Sequence, residues 1–304
     1  MSGRRHSTFV ISLTPFTEDG ALDEAGLRAH LQRLRTARIG VYLAGSGSGE
    51  GYTLSRPERR RVLDVGAEEL AGHVPVRAMG VEPRTAAEVV ELAEDAVAAG
   101  VDATQVYSLD LGHGYLPTVD EQRTYLRTVL DHAPGDLVLS THQSVGYHYD
   151  PVLLDELLSE YPRVVGVNVT HRDLVYVAQV VDAVAGRVAV HVGGPLHALG
   201  ATALGATGYL SSEGNLAPRL CVALVERVDA GEHDAAVRVH RQVMALHEAT
   251  QALGGIVGAK GALRLLGAPG GWPRPPRLPV APARAQSLVD VMVRLGVAAS
   301  EGLR

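Results

Sequence analysis

Two scarcities, one cysteine (Cys221) and one lysine (Lys260) in 304 residues, already exclude a good deal. A single thiol cannot close an internal disulfide, so burial and hydrogen bonding must hold the fold, and a reducing, cytoplasmic setting is expected. Of the 28 basic residues only Lys260 is a lysine, which leaves amine chemistry one internal candidate besides the N-terminus. No apolar run approaches the roughly 20 residues that a bilayer-spanning helix needs, so no membrane partner is expected. No basic stripe is present, and the net charge of -6 with a pI near 6.1 argues against a nucleic-acid partner. The opening Met1-Ser2-Gly3-Arg4-Arg5-His6 leads straight into a strand of about six residues, which is too short for the apolar part of a signal peptide. No internal repeat beyond the one described next, no low-complexity tract and no linker is found.

What the chain does have is alternation. It is 46% hydrophobic and 20% charged, long enough to bury one large core. Short apolar runs at 8–13, 40–44, 75–80, 103–108, 136–141, 164–168, 187–192 and 207–211 read as strands. Amphipathic stretches at 23–37, 55–71, 84–99, 118–132, 150–160, 172–184, 195–204 and 216–229 read as helices between them. Ser55-Arg56-Pro57-Glu58 shows the chemistry of a helix start, with a Ser cap, Pro in the first turn and an acid three residues on. Eight strands alternating with eight helices imply an α/β fold, a (β/α)8 TIM barrel over residues 1–230. Residues 231–304 add a C-terminal helical extension of the same domain, with about three helices broken by the Gly/Pro-rich segment 267–279.

Several strings at strand ends carry more than secondary structure. The first strand runs into Leu13-Thr14-Pro15-Phe16-Thr17-Glu18-Asp19-Gly20, a turn on general grounds. The second enters Gly45-Ser46-Gly47-Ser48-Gly49-Glu50-Gly51, where small residues admit a close ligand and backbone N–H groups can cradle an anion. The same string also reads as a tight loop with no ligand. Strand eight leads into Gly205-Ala206-Thr207-Gly208-Tyr209-Leu210-Ser211-Ser212-Glu213-Gly214-Asn215, and the chain closes with Lys260-Gly261-Ala262-Leu263 and Arg274-Pro275-Pro276. In order and spacing, these strings resemble the dihydrodipicolinate synthase and N-acetylneuraminate lyase family over nearly the whole chain.

The resemblance implies a carboxylate site at Gly47 and Ser48, with Gly193 and Ser211 also on the substrate side. It also implies a Schiff-base lysine ending strand six and a catalytic tyrosine on strand five. At the lysine position, Val164-Val165-Gly166-Val167-Asn168 ends in an amide, which cannot form an imine. Counting 28 residues back from Asn168 gives Ser140, while anchoring on the nearby glycine gives Leu139, and neither is tyrosine. Lys260 matches a lysine that the family carries away from its active site, and it is read as a helix lysine at the surface or at a helix–helix joint.

What stands at the strand ends is polar. His142 follows strand five, His171 follows strand six and His191 ends strand seven. Asp110 and His113 follow strand four, and Glu213 follows strand eight. The C-terminal strand ends of such a barrel form its active face, and imidazole suits proton transfer near neutral pH. The expected function is therefore lyase-like: aldol cleavage or condensation, dehydration or cyclisation of a small 2-oxo acid or related carboxylate, with no imine. The expected catalytic set is His142, His171, Asp110, Ser140 and Asn168, with Gly47, Ser48, Gly193 and Ser211 holding substrate. No cofactor and no metal are expected, and the chain is expected to be a homo-oligomer, dimer or tetramer. A non-catalytic ligand-binding barrel and a metal-dependent aldolase using the three histidines stay open as other readings.

Overall fold

The computed structural model describes residues 6–142 and 148–303; the Met1–Arg5 lead-in lies outside them. Eight parallel strands close into a barrel, β1 (Ser7–Ile11), β2 (Gly40–Leu43), β3 (Val76–Ala78), β4 (Ala103–Val106), β5 (Asp136–His142), β6 (Val164–Thr170), β7 (Ala189–Gly193) and β8 (Gly208–Ser211), with β8 pairing back onto β1. Each strand is followed by a helix: α1 (Glu24–Ala37), α2 (Arg56–Leu70), α3 (Ala86–Ala99), α4 (Val119–His132), α5 (Pro151–Glu160), α6 (Leu174–Val184), α7 (Ala198–Ala203) and α8 (Pro218–Asp229). The expected TIM barrel is the observed fold. Local signals place the helix ends: Ser55 and Glu58 form a reciprocal capping box at α2, and Thr118 and Glu121 form another at α4.

Beyond the barrel the described residues hold four helices rather than about three, α9 (His233–Gln251), α10 (Ile256–Leu265), α11 (Pro282–Arg294) and the short α12 (Val297–Ser300). The segment between α10 and α11 is irregular, and its Trp272 pairs with Phe16 in the β1–α1 loop.

Three apolar clusters divide the labour. The largest lies between strands and helices and includes Val10, Leu31, Val41, Leu63, Val167 and Val225. A second joins the extension to the barrel, burying Leu13, Leu216 and Ala217 against Leu246, Leu263 and Leu288. The third, Phe9, Tyr42, Met79, Tyr107 and Leu210, fills the bore. Side chains alternate between the two sides of each strand, so this third cluster identifies which positions face inward.

Candidate active site

The bore is polar where the sequence suggests apolar strands. Asn168 donates through Nδ2 to the Tyr42 hydroxyl oxygen at 3.0 Å and to Gln105 Oε1 at 2.9 Å. Tyr42 and Gln105 belong to β2 and β4, so these bonds cross the barrel. Arg77 on β3 donates to the same Tyr42 oxygen at 2.9 Å and lies 4.4 Å from the centre of the Phe9 ring. Burial pushes the Tyr107 phenol up, opposed by the neighbouring Gln105 amide. Among the described residues, Asn168 Oδ1 and His191 Nδ1 are buried without a hydrogen-bond partner. Tyr42, Arg77 and Gln105 were missed in the sequence. The signal available for Arg77 and Gln105 was a large polar side chain inside a short, otherwise apolar strand; which way it faces was not legible.

Strand register sorts the other expected residues by depth. Ser140, Asn168 and His191 are neighbours across β5, β6 and β7, and one step outward His142 pairs with Thr170. His142, Thr170 and Gly193 are half-buried at the barrel mouth. Burial draws the His142 imidazole down, with Glu82 opposing, so the ring is neutral near pH 7. Gly193 is required here, because a Cβ would sit within 1.8 Å of Thr170 Oγ1. Ser140 is buried, and its carbonyl accepts from Ser108 Oγ and the Tyr149 hydroxyl.

His171 lies on the rim, its ring 4.7 Å from those of both His148 and Tyr176. The sequence reading put His191 at the end of its strand; the structure puts it inside the bore. It is fully buried, bonded through Nε2 to Ser7 Oγ at 2.8 Å and edge-on to Phe9. Burial drives it down to about 3. His191 therefore bonds to the first residue of β1, away from the rim that carries His171.

The glycine-rich loop is tight for its own reasons. A Cβ on Gly51 would meet Ala44 O at 2.2 Å, and one on Gly49 would meet Gly45 O at 2.7 Å. Gly47 is exposed with open space beside it, and Ser48 is buried. The two outer glycines thus serve backbone packing, while the Gly47–Ser48 stretch is free of that constraint. Glu50 locks the loop from behind. Its carboxylate accepts from Lys260 Nζ and from the Arg274 backbone N–H. Lys260 is 0% exposed, not a surface residue, and also donates to Thr14 O at 2.7 Å and Trp272 O at 2.9 Å. Burial draws its ammonium down to about 8 against the pull of Glu50. It lies at a joint between α10 and two barrel loops, away from Asn168.

Other expected residues stand apart. Asp110 is in an exposed loop, accepting from Gly112 N–H and 3.5 Å from Arg84. His113, in the same loop, is exposed. Ser211 is on the outward parity of β8 and bonds to Glu213 and Cys221 Sγ. Glu213 is buried behind the barrel wall, 2.6 Å from His247 Nδ1 on α9. Among the described residues no three His, Cys, Asp or Glu side chains converge to hold a metal, and no helix is long and apolar enough to cross a membrane.

The Dihydrodipicolinate synthetase family profile matches residues 5–295. The chain is 30% identical over 267 residues to a 4-hydroxy-tetrahydrodipicolinate synthase of Methanopyrus kandleri, covering 87% of each chain. It is 30% identical over 290 residues to the Rhizobium meliloti (strain 1021) protein of the same name, covering 93% of this chain and 95% of that one. In three dimensions it resembles DHDPS from Cyanidioschyzon merolae, solved with lysine bound, with a TM-score of 0.88 at 23% identity over 97% of this chain and all of that one.

Proposed function

This chain belongs to the dihydrodipicolinate synthetase family, a family of lyases, and from that premise we propose that it is an aldol-type lyase that works without a lysine Schiff base. One observation carries the proposal. The chain's only lysine side chain is sealed against Glu50, and the bore carries the Asn168 amide. Bond making and breaking next to the substrate carbonyl then runs by acid–base catalysis. The substrate is a small 2-oxo acid or a related carboxylate.

Each residue has a role in this reading. His142, neutral and half-buried at the mouth, is the general base or acid. His171 on the rim is the second candidate for proton transfer. Backbone N–H groups at Gly47 and Ser48 hold the substrate carboxylate, with Gly193 leaving room opposite. Asn168 and Ser140 face the substrate from the bore. Asp110, in the loop after β4 beside Arg84, and Ser211, turned outward to Glu213 and Cys221, are given no direct part. A homo-oligomer belongs to the same proposal, supported by the exposed apolar residues Leu111, Tyr115 and Leu116 on one loop.

The test has two arms. Pyruvate with borohydride should leave the intact mass of the protein unchanged; a stable adduct on Lys260 would sink the proposal. Once a 2-oxo acid substrate is turned over, His142→Ala should lower turnover by about 10²–10⁴ with binding retained. Ser48→Leu should instead weaken binding. Normal turnover in both His142→Ala and His171→Ala would remove the acid–base assignment.

A further inference from the structure

A carboxylate at the mouth of the barrel is left unengaged. Other acids on the strand-end loops are spent: Glu50 is sealed against Lys260, Glu213 is bonded to His247, Asp110 stands by Arg84, and Asp173 caps α6. Glu82, in the loop after β3, differs from them. It is half-buried, and among the described residues its carboxylate accepts no hydrogen bond and joins no ion pair. A charge drawn partly out of water with no partner costs free energy, so Glu82 does not serve to fasten the fold.

Sequence and strand order set where this carboxylate sits. Glu82 precedes Pro83, and the residue before a proline is biased to extended backbone. Pro83 O accepts the Asp110 N–H at 2.9 Å, which ties the loop to the exit of β4. β3, β4 and β5 are neighbours in that order. Adjacent strands lie about 5 Å apart, so Glu82 and His142 leave strands roughly 10 Å apart, and Tyr107 ends the strand between them. Both residues are half-buried at the same end of the barrel, and their long side chains can cover most of that gap. Two groups register the Glu82 charge. Burial draws the His142 imidazole down and Glu82 opposes it; burial pushes the Tyr107 phenol up and Glu82 adds to it.

The other titratable groups around His142, among the described residues, are neutral or engaged. Tyr107 is an un-ionised phenol near pH 7, Asp110 stands with Arg84, and His171 packs against His148 and Tyr176 on the rim. We propose that Glu82 is the charge partner of His142, a positioning carboxylate that steadies the imidazolium formed each time His142 takes up a proton from the substrate. The inference rests on the proposed function for the role of His142 as base. In that role the proton leaves the substrate, stays on the ring and is returned to the product, and the carboxylate acts on the ring without touching the substrate.

NMR titration of the His142 ring, assigned by the signal lost in His142→Asn, reads this partnership without any turnover. At low ionic strength Glu82→Gln should lower the His142 midpoint by about 0.5 pH unit or more, the size expected of one charge several ångströms away at a partly exposed site. Glu82→Asp keeps the charge and should keep most of the wild-type midpoint, and His171 should titrate alike in all three proteins. An unmoved His142 midpoint in Glu82→Gln overturns the proposal, and so does a shift shared by His171, which would report a change of the whole fold. Should the glutamine variant not fold, salt replaces it: screening at about 1 M should lower the wild-type midpoint, and a midpoint indifferent to salt overturns the pairing. On a substrate that is turned over, Glu82→Gln should lower kcat about tenfold with KM nearly unchanged; an unchanged kcat overturns the part of Glu82 in the reaction. Full turnover in His142→Ala beside a moved midpoint would show instead that the acid–base reading has failed and the pairing has not.

Discussion

An ammonium has three protons, and Lys260 spends all three on Thr14 O, Glu50 and Trp272 O. This stoichiometry explains why a chain that uses arginine everywhere else has a lysine here. A planar guanidinium has five donors in a wider fork, and the fully buried site offers it neither the room nor the acceptors. The Glu50–Lys260 pair is costly to desolvate, but removing one partner costs more, because the other charge stays buried alone. Lys260→Met is therefore expected to lower the unfolding free energy by about 3–5 kcal/mol in urea denaturation. The double variant Lys260→Met with Glu50→Gln should recover part of that loss. If the single change proves neutral, the ion pair is not what fastens the glycine-rich loop to the C-terminal segment.

Among the elements, α9 is fastened to the barrel by a titratable joint. His247 on α9 meets the buried Glu213 just after β8. The hydrogen bond to Glu213 raises the His247 imidazole above its ordinary value, with burial opposing. Burial pushes the Glu213 carboxyl up, but the His247 hydrogen bond and charge, with Ser212, outweigh it and hold it below the usual range. The sign follows for each partner. The His247 contribution is fully present below about pH 6.5, the ordinary imidazole value, and is lost as pH rises through the raised folded value. The Glu213 contribution is present above the ordinary carboxyl range and is lost as pH falls through the lowered folded value. Stability from this joint should thus be greatest in mildly acidic solution, between the two. Chemical denaturation from pH 5 to 9 should show the wild type losing on the order of 1.5 kcal/mol toward the alkaline end relative to His247→Gln. Parallel pH profiles for the two proteins would rule the joint out.

At the scale of the whole molecule, barrel and extension share one core, because Leu13 and Leu216 of the barrel are buried against helices α9, α10 and α11. Several large apolar side chains stay outside that core, and three of them, Leu111, Tyr115 (72% exposed) and Leu116 (56% exposed), follow β4 on one loop. Apolar residues gathered on one exposed loop mark a contact surface more often than an accident of composition. Light scattering on the purified chain should accordingly give a mass of two or four copies, and Tyr115→Asp with Leu116→Asp should shift it toward one. A wild-type mass of one copy would refute the oligomer.

Periodicity alone determined the barrel. Eight apolar runs alternating with eight amphipathic stretches admit few other closures, and the capping residue Ser55 places the start of α2 to within a residue. The Asn168 amide was also visible in the chain, because a residue's chemistry needs no coordinates. Depth and facing were decided only by the tertiary structure. His142, His171 and His191 look alike as strand-end histidines, yet closure of the sheet puts one at the mouth, one on the rim and one inside the bore. Ser211 is one residue from the inward-facing Leu210, and that single step of strand parity turns it toward Cys221 instead. The network of Arg77, Tyr42, Asn168 and Gln105 joins four strands that are far apart in the chain. Hydrogen bonds across a bore depend on stagger and diameter, which are properties of the closed barrel and of no single segment.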